Sequence, residues 1–287
     1  MSEADADAGN VKEIAYWNGT AGRNWTARQE EWDSVVKDVT AAAIARAAVQ
    51  PGERVVDIGC GCGGTTLELG KRVGPQGRVL GLDISTVMLA RAVERTLPGL
   101  PIKFIEADAT IYQFPRRQFD LLFSRFGVMF FADPARSFTN MRTALRPGGR
   151  LAFACWRPPK ENPWMMVPLN GTYLHVPPLP KPGPEDPGPY SFANTERVRR
   201  ILGAAGFQAI EFQPFDVDLD LGVGRGLDSA VGCALSIGAT SRAIEGQPQA
   251  VLDKVAVAVR DVLAPYRRGT KVPLAASVWL VSALSPA

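Results

Sequence analysis

From about residue 54 onward, short apolar runs bounded by glycine, proline and charged residues alternate with longer amphipathic stretches. Arg54–Ile58, Arg78–Asp83, Ile102–Glu106, Phe119–Ser124 and Arg150–Trp156 are the apolar runs. Their near-continuous hydrophobicity is that of strands buried on both faces. Thr65–Val73, Ser85–Thr96 and Pro134–Leu145 follow most of them and repeat apolar positions at helical spacing. Short strands alternating with helices of about 10–15 residues predict βαβ units. Right-handed crossovers then make an α/β fold with a doubly wound, mostly parallel sheet.

The flanks read differently. Residues 1–10 (MSEADADAGN) read as a mobile tail. Val11–Trp32 is polar but carries Tyr16, Trp17, Trp25 and Trp32, and Asp33 reads as the cap of an alanine-rich helix ending near Val49. Residues 11–50 are thus an expected N-terminal helical cap segment, and residues 51–156 the core. Eleven of the 23 prolines fall within Arg157–Pro189. Proline gives no ladder donor, so residues 157–190 read as a long segment with little regular structure. Its content (Trp164, Met165, Met166, Tyr173, His175, Tyr190) favours a lid over a pocket, with a surface excursion packed on the sheet as the alternative. Within residues 191–287, a helix Thr195–Ala205, a strand Gln208–Asp216, a helical insertion at about 227–263 and a strand Leu274–Leu284 complete the pattern.

Composition excludes more than it identifies. The chain has 287 residues, is 46% hydrophobic, and balances 32 basic against 29 acidic residues. A net charge of +3 is too weak for a nucleic-acid footprint. No apolar run reaches the ~18 residues of a membrane span, and the acidic start is unlike a signal peptide. Cysteines 60, 62, 155 and 233 form no disulfide framework, so a cytoplasmic location is expected. The C-x-C spacing without a second pair is poor for zinc, and no metal is expected.

The sharpest motif is Val55-Val56-Asp57-Ile58-Gly59-Cys60-Gly61-Cys62-Gly63-Gly64, a strand entering a glycine turn and then a helix. Glycines permit close backbone approach, and the helix start offers free N–H groups. Gly59, Gly61 and Gly64 also satisfy G-x-G-x-x-G, which keeps an NAD-dependent oxidoreductase open. Asp57 argues against it, because a carboxylate at the turn repels a pyrophosphate and receives an ammonium or a water-bridged cation.

With Asp57-x-Gly59-x-Gly61-x-Gly63 at the end of the first strand, the chain resembles the class I S-adenosylmethionine-dependent methyltransferases. The resemblance continues through Gly81-Leu82-Asp83-Ile84-Ser85, Asp108-Ala109, Phe119-Asp120-Leu121-Leu122-Phe123-Ser124 and Arg146-Pro147-Gly148-Gly149, over roughly residues 50–156. It implies a seven-stranded Rossmann-like sheet whose last strand is antiparallel. It also implies S-adenosylmethionine as cofactor, held around Asp57, Gly59, Cys60, Gly61, Asp83, Ile84, Asp108, Ala109 and Ser124. Asp83 would accept the ribose hydroxyls, and Asp108 would lie beside the adenine amino group. In the ubiquinone/menaquinone-type branch an aromatic N-terminal segment folds over the cofactor, which points to Tyr16 and Trp25; core packing is the alternative for both.

Methyl transfer from a sulfonium is an in-line displacement, and a base is needed only if the acceptor must lose a proton. His175 is the single histidine and the candidate base, with Glu161, Asp186 and Arg125 as lesser candidates and an incidental histidine as the alternative. Ser124-Arg125-Phe126-Gly127 lacks the Asp/Asn-Pro-Pro-aromatic turn of amine-methylating DNA enzymes. That absence speaks against a nucleic-acid substrate, and the resemblance implies O- or C-methylation of a small, partly apolar organic molecule. A non-catalytic S-adenosylmethionine-binding protein is the rival from another class. The acceptor and the oligomeric state are not readable from the sequence.

Overall fold

The computed structural model describes residues 8–286, which build a seven-stranded sheet flanked by helices. The strands are β1 (Arg54–Ile58), β2 (Arg78–Asp83), β3 (Ile102–Glu106), β4 (Phe119–Arg125), β5 (Leu145–Trp156), β6 (Gln208–Asp220) and β7 (Pro273–Leu284). Their order is β3-β2-β1-β4-β5-β7-β6, with β7 antiparallel to both neighbours and the other pairs parallel. The expected fold class holds. Val55, Val56, Asp57 and Ile58 of β1 and Leu121, Leu122 and Phe123 of β4 are all buried, as their unbroken apolar runs require. β6 runs four residues past the expected end at Asp216, because β7 continues to pair with it as far as Asp220.

Twelve helices surround the sheet among the described residues: α1 (Val11–Asn18), α2 (Thr20–Ala27), α3 (Gln29–Val35), α4 (Lys37–Ala47), α5 (Gly64–Val73), α6 (Thr86–Glu94), α7 (Pro134–Arg142), α8 (Pro163–Thr172), α9 (Thr195–Ala204), α10 (Leu227–Ser236), α11 (Gly238–Ala243) and α12 (Gln249–Leu263). Three readings need correction. Asp33 does not cap a helix; it lies within α3, and its carboxylate pairs with Arg95 at 2.8 Å and Arg125 at 3.5 Å. The expected mobile tail ends earlier, since Ala8–Asn10 form a 3-10 turn and Asn10 is buried. Residues 1–7 of that tail lie outside the described residues.

The third correction is α8, which occupies the centre of the stretch expected to be irregular. Pro163 stands in its first turn, where a missing N–H removes no helical bond, and Pro168 is tolerated inside a helix of only ten residues. Trp164, Met165 and Leu169 drive it inward and are buried. Asn162, fully buried just before α8, joins helix and sheet. Its amide donates to the carbonyls of Arg157 and Ser277, and its Oδ1 accepts from Ser277 N–H and Trp164 Nε1. From Pro177 to Pro189 the chain is mostly exposed.

Removing that junction leaves several buried polar groups without partners, at about 1–3 kcal/mol each. Asn162→Ala is therefore expected to lower unfolding free energy by about 3 kcal/mol. Urea denaturation checks this: the midpoint falls with an unchanged slope.

Candidate active site

β1 delivers Asp57 into the interior at the edge of the glycine turn. Its Oδ2 accepts from the hydroxyls of Thr65 and Thr66 at 2.6 and 2.7 Å, on the first turn of α5. Its Oδ1 is buried and has no hydrogen-bond partner. Burial pushes the carboxyl up to about 6, against the two hydroxyls and the Arg125 charge. An unsatisfied buried acceptor of this kind is a place for a donor that the protein does not itself provide.

Asp83 closes β2 on the other side of the turn. It accepts Gly61 N–H at 2.7 Å on one oxygen and Ser85 N–H at 2.9 Å on the other. Burial raises its carboxyl too, opposed by those backbone donors. With the Ile84 N–H as a third backbone donor, the carboxylate still retains acceptor capacity. Between these acids the backbone must stay bare: a Cβ on Gly59 (φ +64°) would stand 2.7 Å from Gly127 Cα. Ser124 seals that contact by donating to Ile58 O at 2.7 Å and accepting Gly127 N–H at 3.2 Å.

Cys60 is buried beside the turn, and desolvation with the two aspartates pushes its thiol well above its ordinary value. This is a packing thiol, not a nucleophile. Asp108, after β3, accepts from Asn10 Nδ2 and from Thr110 N–H, both at 2.8 Å. Ala109 is buried next to it, and its carbonyl accepts Asn140 Nδ2 at 2.9 Å.

Over these strand ends lies α1, fastened at both of its own ends. Asn10 ties its start to Asp108 and Thr110. At its finish Asn18 donates to Ile84 O and accepts from the N–H and hydroxyl of Thr86, while Ser85 donates to Trp17 O. The sequence reading missed Asn10 and Asn18. They are single asparagines whose partners stand 98 and 66–68 residues away, so no local motif marks them.

The aromatic residues of the cap join a longer array. Phe126 stacks on Trp156 at 4.1 Å, Trp156 meets Trp164, Trp164 meets Trp32, Trp32 meets Trp25, Trp25 meets Trp17, and Trp17 meets Phe130. The array starts and ends in the turn after β4. Trp25 is a middle member, and Tyr16 packs its edge on Trp17 at 5.2 Å. Their ring contacts are with other aromatics and with Arg242, not with the three aspartates.

The candidate bases stand apart from this arrangement or are already engaged. His175 is exposed in the turn after α8. Glu161 pairs with Arg157 at 2.5 Å, and Asp186 accepts Gly183 N–H. Arg125 donates to Thr40 and reaches Asp33, whose other oxygen holds Arg95; Arg95 in turn donates to Cys62 O in the glycine turn. Among the described residues no group of three or more His, Cys, Asp or Glu could hold a metal ion. No helix among them is long and apolar enough to cross a membrane.

Two buried acids around a bare turn, one with an orphan oxygen, fit a ligand that carries a cationic amine and a vicinal diol. Comparison with known proteins agrees. A family model described as a methyltransferase domain matches residues 55–149. Over 183 residues the chain is 30% identical to the ubiquinone/menaquinone biosynthesis C-methyltransferase of Serratia proteamaculans, covering 57% of this chain and 70% of that protein. Over 104 residues it is 40% identical to the aklanonic acid methyltransferase of Streptomyces sp. strain C5, covering 36% of this chain and 47% of the relative. Among solved structures it resembles a phosphoethanolamine N-methyltransferase 2 of Haemonchus contortus, in complex with phosphomonomethylethanolamine and S-adenosylhomocysteine. That match has a TM-score of 0.57 at 18% identity and covers 94% of this chain and 60% of the other.

The raised Asp57 carboxyl has a consequence for stability. Its folded value of about 6 exceeds the ordinary 3.8, so between these the folded protein binds more protons than the unfolded chain. Stability contributed at this site is therefore lost as pH rises through that window. Relative to wild type, Asp57→Asn should gain on the order of 2 kcal/mol between about pH 4 and pH 7. Urea denaturation of both proteins across that range measures the difference; a constant gap refutes the assignment.

Proposed function

Because the chain belongs to the S-adenosylmethionine-dependent methyltransferases, we propose that it methylates oxygen or carbon of a small, partly apolar organic acceptor. The observation that carries this reading is the pair of buried aspartates flanking the glycine turn beneath α1. In this reading Asp83 receives the ribose hydroxyls on its spare acceptor positions. Asp57 Oδ1 receives the methionine ammonium, directly or through water, which relieves its unsatisfied burial. Gly59, Cys60 and Gly61 contribute bare backbone, and Ile84, Asp108, Ala109 and Ser124 frame the nucleoside. When bound, the sulfonium supplies an already activated methyl group, so the protein's part is alignment and the exclusion of water.

The aromatic array serves that exclusion. Trp17, Trp25, Trp32 and Trp164 come from the cap and from α8 and pack ring against ring, and in this reading they form the apolar wall of the acceptor side. Residues 157–190 thus contribute to an acceptor pocket through α8, and their proline-rich remainder covers it as a lid. Tyr16 belongs to the same wall. His175 receives no part, since it is exposed and no side-chain partner among the described residues orients it. The names of the quinone-biosynthesis and aklanonic acid relatives support a small-molecule acceptor. Four free, buried cysteines support a cytoplasmic setting.

Isothermal calorimetry tests the reading. S-adenosylmethionine and S-adenosylhomocysteine should bind, whereas NAD and NADP should not. Asp83→Ala removes hydrogen bonds to a charged group worth about 1.5–3 kcal/mol each, so affinity should fall at least ~10-fold. Unchanged affinity in that variant removes Asp83 from the site. Binding of S-adenosylmethionine with no methylated product across quinone, phenol and carboxylic acid acceptors would favour the non-catalytic rival.

A further inference from the structure

A cavity of about 260 Å³ lies in the seam between the N-terminal cap and the helical insertion. Tyr16, Asn24, Leu235, Ser241, Arg242 and Ile244 line it. Arg242 is held by its face, with its guanidinium carbon 4.3 Å from the centroid of the Tyr16 ring. Such a stack uses the π surfaces and leaves the five N–H donors free around the edge. Among the described residues none of those donors makes a hydrogen bond, and no carboxylate lies within ion-pair distance of them. Other arginines in the same seam are paired: Arg28 and Arg225 both reach Glu31, at 2.8 and 2.6 Å.

The acids facing Arg242 do not neutralise it. Glu13, on α1, feels its charge but makes no ion pair with it, and has Oε2 buried without a partner. Burial raises the Glu13 carboxyl more than Arg242 and the Trp17 indole lower it. Glu245 lines the cavity and likewise makes no ion pair with Arg242. Two uncharged groups complete the polar side, the Asn24 amide and the Ser241 hydroxyl, whose mutual contact is long at 3.4 Å. Both therefore have hydrogen-bonding capacity to spare.

The cavity is also close to the aromatic wall. Tyr16 touches Trp17, and Trp17 touches Phe130 in the turn after β4, at 5.2 and 5.3 Å between ring centroids. We propose that this cavity is an anion subsite of the methyl acceptor: Arg242 grips a carboxylate, and the acceptor's apolar frame lies along Trp17 toward β4. The proposal rests on the reading of the chain as a small-molecule methyltransferase and names the acceptor class, an unsaturated or aromatic carboxylic acid. A single guanidinium without an ion pair, beside the uncharged Asn24 and Ser241 and with Glu245 also lining the cavity, suits a singly charged carboxylate better than a phosphate dianion.

The test uses the full chain saturated with S-adenosylhomocysteine, titrated in a calorimeter with 2-naphthoate and with the uncharged 2-naphthamide. A charge-assisted bidentate pair predicts that the acid binds about 10–100-fold tighter than the amide. Arg242→Gln should erase that preference while leaving S-adenosylhomocysteine affinity unchanged, and Arg242→Lys should restore part of it. Equal binding of acid and amide, no binding of either, or a preference that survives in Arg242→Gln overturns the proposal. Failure of the wild-type chain to bind S-adenosylhomocysteine would instead overturn the reading on which it rests, so the two failures are distinguishable.

Discussion

The winding of the sheet reverses between β1 and β4. β1 pairs with β2 on one side and with β4 on the other, so the connections leaving these strands go opposite ways and open a crevice at their carboxyl ends. Asp57, Asp83 and Ser124 all stand at that edge because they are the last or nearly last residues of their strands. The crevice is narrow, since the turns after β1 and β4 meet backbone to backbone at Gly59 and Gly127. A side chain at either glycine would force the turns after β1 and β4 apart.

On that edge α1, none of whose residues is buried, is held by side-chain hydrogen bonds, whereas α3 and α4 join the core through Trp32, Val35, Val39 and Ile44. Asn10, Asn18 and Ser85 join α1 to the strand ends, and Arg95 joins the glycine turn to Asp33 of α3. Each such bond is worth only about 1 kcal/mol net, somewhat more where a charge takes part. The sheet beneath has its apolar core and continuous ladders. A helix fastened as α1 is should open at lower free energy than the sheet unfolds.

Burying acids without paired bases has a cost, and the structure concentrates it at Asp57 and Asp83. Arg125 is the nearby cation, yet Thr40 and Asp33 engage its guanidinium. Asp57 therefore relies on the hydroxyls of Thr65 and Thr66, and one of its oxygens remains unsatisfied. A cationic ligand group placed beside Asp57 would satisfy that oxygen and, by binding the folded chain, stabilise it.

Much of this was legible in the chain itself. The strands β1 to β4, the order of acids along them and the glycine turn follow from local pattern, because buried parallel strands need continuous apolar runs and a tight turn needs glycine. Asp57 and Asp83 belong to that local grammar. Other features depended on contacts between distant segments. Asn10 becomes meaningful only when Asp108 lies above it, Asp33 stops being a helix cap only when Arg95 and Arg125 surround it, and Arg242 stands out only against paired neighbours. Helix α8 shows the same division. Its prolines read as irregular chain, but burial of Trp164, Met165 and Leu169 and the Asn162 junction outweigh a local preference that is small beside packing. Local pattern determined the floor of the site, whereas its roof and walls were decided by tertiary contacts, since side chains far apart in sequence carry no shared period to reveal them.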